Sequence, residues 1–214
     1  MKFSHIFFDL DGVLIHSEHL YTQAKQMTLS KYGVELPAAE IEKYQGWTDT
    51  YFFENYKLQD SQLQVSVDQL VQETVEHFRI LHPLMRPQAG AAEFIRQQHS
   101  RGVKLANVTS ASAESQQLAL KMLGVKDLFE VLVNGDEVEN HKPHPEPYLK
   151  ALKLSGVELP KVLVIEDSVS GIRSAKAAGL FVCGYGSSFP EALLRKAGAD
   201  YYAPSYLELS KLTI

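Results

Sequence analysis

Runs of consecutive apolar residues recur along the chain and predict buried strands. They are IFFDL at 6–10, VKLANVT at 103–109, EVLVNG at 130–135, VLVIED at 162–167 and LFVCGY at 180–185, with ADYYA at 199–203 as a short edge strand. Continuous apolar runs, unlike alternating ones, are typical of strands that are buried on both faces of a sheet. We therefore expect a sheet with helices on both faces.

Helical patterns separate these strands from about residue 88 onward. They cover 89–102, 112–124, 144–156 and 168–179, and each ends at a glycine, a common helix stop. This alternation of strand and helix predicts an α/β fold with a parallel sheet and right-handed crossovers.

Residues 16–84 interrupt that alternation. Helical patterns without an intervening strand occupy 17–33, 36–46, 49–56 and 61–82. We predict an α/β core of residues 1–15 and 85–214 and an inserted all-helical cap domain of residues 16–84. The closely spaced connections would let this insert hinge over the core.

Composition and charge exclude several classes of function. The 214 residues are 45% hydrophobic and 22% charged, and the net charge of -5 offers no basic field for nucleic acid or an anionic membrane. No run approaches the 18 apolar residues of a membrane span. Cys183 is the only cysteine. We expect it to be buried in a strand, which fits a cytoplasmic protein without an intrachain disulfide.

Polar residues that could take part in catalysis or ligand binding follow the strands at their carboxyl ends. They are Asp9 and Asp11, Thr109 and Ser110, Lys142 in the loop after the third long strand, and Glu166 with Asp167. Ligands of open parallel sheets bind at this edge, so we expect these side chains to converge.

This set of residues indicates phosphoryl transfer. Four converging carboxylates repel one another, and a hard divalent cation such as Mg²⁺ removes that repulsion. The hydroxyls of Thr109 and Ser110 suit phosphate oxygens, and Lys142 adds a compact positive charge. One carboxylate can then act as a nucleophile and form an aspartyl phosphate.

Each of these residues also has a simpler interpretation when it is taken alone. Asp11 and Gly12 form a common turn sequence, and the hydroxyls after the second strand could cap the next helix. Lys142 could be a solvated loop lysine, and Glu166 with its neighbours could be a helix cap. Only the joint pattern favours a functional site.

Four segments in a fixed order resemble a known family. FFDLDGVL, NVTS, HKPHPEPY and VIEDSVSGIRSAKAAG are similar to the motifs of the haloacid dehalogenase-like (HAD) hydrolases, in the helical-cap subgroup of phosphatases and β-phosphoglucomutase. The resemblance covers nearly the whole chain. It implies a Rossmann-like parallel core, an inserted helical cap and Mg²⁺ as cofactor.

The resemblance also implies a role for each residue at the strand ends. Asp9 would be the nucleophile and Asp11 the general acid and base, which favours a phosphate ester over a haloacid as substrate. Lys142 would offset the charge on Asp9 and the phosphoryl group, and Thr109 with Ser110 would bind phosphate. The implied metal ligands are Asp9, Asp11, Glu166 and Asp167, in a loop shaped by Ser168 and Gly171.

The cap segment YQGWTDTYF corresponds to a substrate-reading loop in this resemblance. The specificity candidates are Gly46, Trp47, Thr48, Asp49 and Tyr21. The arginine with which the mutase typically holds a second phosphate is absent from this segment, which weakens the mutase interpretation. His16 stands where the family that the sequence resembles usually has an aspartate, and we expect it to have a structural or hinge role.

These observations predict a monomeric Mg²⁺-dependent phosphatase that hydrolyses a small phosphorylated metabolite, such as a sugar phosphate, through an aspartyl phosphate. Two alternatives stay open. One is a β-phosphoglucomutase-like sugar phosphomutase. The other is a receiver-like signalling module that is phosphorylated on aspartate, although the order of its acidic residues differs.

Overall fold

The computed structural model describes residues 3–44, 49–59 and 63–212. The chain forms two compact units: one contains the segment up to His16 together with the segment from Arg86 onward, and the other is Ser17–Met85. None of the helices within the described ranges is long and apolar enough to cross a membrane.

The unit Ser17–Met85 is built from helices α1 (Glu18–Ser30), α2 (Ala38–Glu42), α3 (Asp49–Gln59) and α4 (Val67–Leu81). Its apolar core includes Leu29, Ile41, Phe52, Phe53 and Leu70, all of them buried.

Two of the predicted helices are shorter than their patterns suggest. Residues 63–66 precede α4, because the hydroxyl of Ser66 accepts a hydrogen bond from the Gln69 amide at 3.1 Å and caps the helix there. The predicted start at residue 61 lies outside the described residues. In the segment 36–46, α2 covers only Ala38–Glu42.

A parallel sheet forms the core of the other unit. Its described strands are β1 (His5–Phe8), β4 (Lys104–Val108), β5 (Phe129–Val133), β6 (Val162–Glu166), β7 (Phe181–Tyr185) and β8 (Tyr201–Ala203). Strands β2 and β3 form a separate ribbon, which is described below. The strand order in the parallel sheet is β5-β4-β1-β6-β7-β8, and all neighbours pair in parallel. The predicted α/β fold is confirmed.

The position of β1 at the centre of the sheet determines which strand ends meet. Phe8, the last residue of β1, lies between Asn107 of β4 and Ile165 of β6. The residues after these three positions therefore emerge side by side at one edge. The strands reach this edge as buried apolar runs, and β6 is buried along its whole length.

Helices connect the strands, and a small ribbon completes this unit. The helices are α5 (Ala91–Ser100), α6 (Ala113–Met122), α7 (Glu146–Ser155), α8 (Val169–Ala177), α9 (Glu191–Ala197) and α10 (Tyr206–Leu209). The ribbon pairs β2 (Ile15–His16) with β3 (Arg86–Pro87) in antiparallel fashion, where the chain leaves and re-enters this unit. His16 is exposed at that point.

Candidate active site

Three carboxylates meet at the carboxyl edge of the two central strands. Asp9 follows β1, and its amide donates to the Ile165 carbonyl at 3.0 Å, which continues the pairing with β6. Glu166 and Asp167 follow Ile165 in the chain. One oxygen from each of the three carboxylates lies within 4.8 Å of the others, and all three residues are buried.

Lys142 connects the ends of three strands. Its Nζ donates to Asp9 Oδ1 at 2.6 Å, to Glu166 Oε1 at 2.7 Å and to the Val108 carbonyl at 2.9 Å. Only 7% of the residue is exposed. Lys142 is therefore not a solvated loop lysine, the simpler interpretation that its sequence context allowed.

Glu146 supports the loop that carries Lys142. Its carboxylate accepts hydrogen bonds from the Glu139 amide at 2.8 Å, the Asn140 amide at 3.0 Å and the Asn140 side chain at 2.8 Å. These bonds, that of the Asn140 side chain foremost, lower the pKa of Glu146. The loop is thus folded back on the start of α7.

Burial controls the electrostatics of the site. Burial raises the pKa of Asp9 to about 8; Lys142 opposes this shift, whereas repulsion from Glu166 and Asp11 adds to it. Burial lowers the pKa of Lys142, but the carboxylates of Asp9 and Glu166 outweigh it and raise that pKa above its usual range. Additional positive charge near Asp9 would favour its ionised form.

Glu166 is held by a network that the sequence only partly revealed. Its Oε1 accepts from Lys142 and from the Tyr148 hydroxyl at 3.0 Å, and its Oε2 accepts from the amide and hydroxyl of Ser168 at 3.2 and 3.0 Å. A Cβ at Gly171 would lie 1.7 Å from Oε1, so this position has no room for a side chain.

Tyr148 is a residue that sequence reasoning missed. It is fully buried, and burial and the neighbouring Glu166 raise its pKa well above the usual value. Lys142 Nζ lies 5.1 Å from the centre of its ring, within the range of a cation–π contact. The sequence feature that could have identified Tyr148 is its place in the segment HKPHPEPY, six positions after Lys142.

Asp167 is held by two serines that follow β7. The hydroxyls of Ser187 and Ser188 both donate to Asp167 Oδ2, the former at 3.2 Å. The rule that led to the other site residues, namely polar side chains after a strand end, would also have found these serines.

The predicted phosphate ligands lie at the end of β4, next to β1. Thr109 is buried; its amide donates to the Val133 carbonyl at 3.0 Å, and its Oγ1 accepts from the Ala111 amide at 3.0 Å. Ser110 is exposed. Neither caps α6, because Ser112 is its N-cap and accepts from the Ser115 amide at 3.3 Å.

Buried amides join the phosphate-ligand segment to β1. The Asn107 side chain donates to the Phe8 carbonyl at 3.0 Å, directly before Asp9. Gln116 donates to Asn107 Oδ1 at 2.8 Å and to the Val133 carbonyl at 3.2 Å. This network links α6 to the carboxyl ends of β1 and β5.

Asp11 lies in the turn after β1 and is partly exposed. Gly12 follows it with a φ of +75°, and its amide donates to the Ile15 carbonyl at 2.8 Å. The Asp11–Gly12 sequence thus does form a turn, beside the buried carboxylates.

The specificity candidates divide into two groups. Gly46, Trp47 and Thr48 lie outside the described residues. Asp49 forms an ion pair of 2.7 Å with Lys25 of α1, and Tyr21 stacks on Phe78 of α4 with 3.9 Å between ring centres. Both described candidates therefore make contacts inside the helical unit.

Comparison with known proteins establishes the family of the chain. A sequence model of the haloacid dehalogenase-like hydrolase family matches residues 6–185. This match spans most of the chain, and the chain belongs to the haloacid dehalogenase-like hydrolase family. The predicted family is thereby confirmed, and so is the prediction of an enzyme, which removes the receiver-like alternative.

Individual relatives and one solved structure are similar to most of the chain. The phosphorylated carbohydrates phosphatase of Thermotoga maritima is 32% identical over 179 residues, which are 82% of this chain and 81% of the relative. The chloroplastic protein SUPPRESSOR OF QUENCHING 1 of Arabidopsis thaliana is 29% identical over 203 residues, 92% of this chain but only 19% of the relative. The crystal structure of CbbY from Rhodobacter sphaeroides in complex with phosphate is 26% identical with a TM-score of 0.81, covering 97% of this chain and 96% of that chain.

Proposed function

We propose that the chain is a Mg²⁺-dependent phosphatase of a small phosphorylated metabolite and works through an aspartyl phosphate on Asp9. The observation that carries this proposal is the Lys142 ammonium, held 2.6 Å from Asp9 and 2.7 Å from Glu166 in a buried site. A lysine in this place holds the Asp9 carboxylate and offers positive charge to an incoming phosphate.

The donor set fits a hard divalent cation. Ionised Asp9, Glu166 and Asp167 carry three negative charges against the one positive charge of Lys142, so two negative charges are left over in a buried cluster. Asp9 and Asp167 would hold Mg²⁺ by their carboxylates, Asp11 by its backbone carbonyl, and Glu166 directly or through water. When bound, Mg²⁺ supplies positive charge that stabilises the transferring phosphoryl group.

The residues of the chain account for the two chemical steps. An Asp9 carboxylate oxygen attacks phosphorus, and the bond from phosphorus to the ester oxygen breaks. Asp11 gives its proton to the departing oxygen, so the alcohol leaves neutral. In the second step Asp11 takes a proton from water as that water attacks phosphorus. The bond from phosphorus to Asp9 breaks, and inorganic phosphate and free Asp9 result.

Thr109, Ser110 and Lys142 hold the phosphoryl group during these steps. The hydroxyls donate to its oxygens, and the ammonium offsets charge that develops in the transition state. A sugar phosphate or a similar small ester is the proposed substrate class, in keeping with the phosphorylated carbohydrates phosphatase that the chain resembles. The monomeric state and the cytoplasmic location stay predictions.

A panel of phosphorylated metabolites tests the proposal. We expect Mg²⁺-dependent release of inorganic phosphate from at least one small ester, and loss of that release in Asp9→Asn. Asp127→Asn is the matched control, because Asp127 is exposed and precedes the amino end of β5, away from the carboxyl ends of the strands. Metal-independent release, or a fully active Asp9→Asn variant, would refute the assignment. An isomerised sugar phosphate without net phosphate release would identify a mutase instead.

A further inference from the structure

Ser187 and Ser188 lie at the same edge of the sheet as the carboxylates. They follow β7, which pairs with β6 so that Gly184 lies beside Glu166. Both hydroxyls donate to one atom, Oδ2 of Asp167. Ser188 is partly buried and makes the closer contact, whereas Ser187 is exposed.

The turn that carries these serines is fixed by its neighbours. The Gly186 amide donates to the Ala203 carbonyl of β8 at 2.9 Å. A Cβ at Gly186 would lie 2.2 Å from the Tyr202 hydroxyl, so the turn packs tightly against β8. The serine hydroxyls are therefore presented to Asp167 from a turn that is anchored to the edge of the sheet.

Gly12 lies next to the same carboxylate oxygen. A Cβ at Gly12 would lie 1.8 Å from Asp167 Oδ2 and 2.9 Å from Ser188 Oγ. Its φ of +75° also favours glycine. Asp167 Oδ2 thus lies close to both the turn after β1 and the turn after β7, and rotation of the carboxylate would break its contacts with the serines.

The type of donor decides what this arrangement can do. Lys142 neutralises charge on Asp9 and Glu166, whereas a hydroxyl carries no net charge. The serines can therefore orient Asp167 and satisfy one oxygen without cancelling its negative charge. Hydrogen bonds of this kind orient the carboxylate ligands of metal sites.

We propose that Ser188, assisted by Ser187, is a positioning residue for the divalent cation and holds Asp167 in the orientation that binds it. This inference rests on the proposed function, because it requires a metal at the carboxylate cluster. It assigns a role to a turn that none of the four sequence motifs includes.

Manganese binding to the metal-stripped protein tests this role without turnover. Free Mn²⁺ is measured by electron paramagnetic resonance in a titration of wild type, Ser187→Ala/Ser188→Ala and Asp167→Asn. Loss of partners of a ligating carboxylate typically weakens metal binding 10- to 100-fold, so we expect about that change in the double variant. Asp167→Asn should bind at least as weakly.

Three controls separate positioning from damage to the fold. Ser210→Ala removes a hydroxyl that donates to the Leu207 carbonyl at 2.7 Å on an exposed helix end, and its Mn²⁺ affinity should equal that of wild type. Ser188→Thr retains a hydroxyl and should recover most of the affinity. The thermal midpoints in EDTA should agree among the serine variants. If the double variant does not fold, Ser188→Ala alone must weaken binding more than Ser187→Ala.

The outcomes distinguish the two proposals. If wild type binds no Mn²⁺, the metal in the proposed function is wrong, and the positioning role is wrong with it. If wild type binds Mn²⁺ and the serine variants bind it equally well or more tightly, only the positioning role is overturned.

Discussion

Replacement of Lys142 by methionine tests the electrostatic core of the site. The variant keeps most of the apolar stem but removes three hydrogen bonds from Nζ, to Asp9, Glu166 and the Val108 carbonyl. The partners stay buried, and Glu166 is fully inaccessible to solvent. Breaking a buried ion pair by removal of one partner costs about 3–5 kcal/mol. We expect the free energy of unfolding at pH 7 without metal to fall by about this amount.

The loss of stability in Lys142→Met should be larger at alkaline pH. With Lys142 present, the pKa of Asp9 is raised to about 8, and without it burial acts unopposed and raises this pKa further. A raised pKa means that the folded protein holds this proton to a higher pH than the unfolded chain does, so stability falls as pH rises through that window. The free energy of unfolding of wild type should level off above pH 8, whereas that of Lys142→Met should continue to fall up to pH 9.

Urea unfolding followed by circular dichroism, in EDTA at pH 7 and pH 9, measures both effects. Lys104→Met is the matched control, because its ion pair with Glu130 spans 3.0 Å but both side chains are more than half exposed. Such a pair contributes about 0–1 kcal/mol. A loss in Lys142→Met that equals the control, or that does not grow between pH 7 and pH 9, would refute the reasoning.

Three further changes test other parts of the structure. Gly171→Ala should lose about 1–3 kcal/mol in urea unfolding and also lower phosphate release, because its Cβ would meet Glu166 Oε1 at 1.7 Å; a neutral effect would contradict the packing. Gln98→Leu should raise the thermal midpoint, because the buried side-chain amide of Gln98 has no hydrogen-bond partner among the described residues, a state that costs about 1–3 kcal/mol; a lower midpoint would contradict this account. Glu73 has its pKa lowered to about 2, chiefly by Lys31, so its stabilisation is present above its usual pKa of 4.5 and lost as pH falls through 2. Glu73→Gln should therefore be less stable than wild type at pH 7 but not near pH 2, and a constant difference would contradict the pairing.

The core strands could be predicted because their residues carry an unambiguous signal. Strand β6 is apolar from Val162 to Ile165 and buried throughout, and β1 reads as apolar up to Phe8. The point at which each run becomes polar marks the edge of the sheet. The sequence alone therefore predicts that Asp9 and Asp167 lie at one edge.

Side-chain partners across the sheet could not be predicted in the same way. The contacts of Tyr148 with Glu166 and of Ser188 with Asp167 depend on strand order, which apolar periodicity does not encode. The ribbon of β2 and β3 has two residues in each strand, too few for any alternating pattern. The start of α4 depended on the capping hydroxyl of Ser66 rather than on the apolar spacing.

The central claim is that Asp9 carries the phosphoryl group. Asp11→Asn should slow hydrolysis of the aspartyl phosphate, since the general base is lost, whereas an aryl phosphate, whose leaving group needs no proton, should still phosphorylate Asp9. The most direct test is to quench this variant in acid during turnover of an aryl phosphate and to reduce it with tritiated borohydride, which releases the phosphate and leaves tritium on the reduced side chain; the labelled peptide is then mapped. We predict label on Asp9 that requires Mg²⁺ and is absent from Asp9→Asn/Asp11→Asn. Label on another residue, or turnover without any labelled protein, would contradict the account.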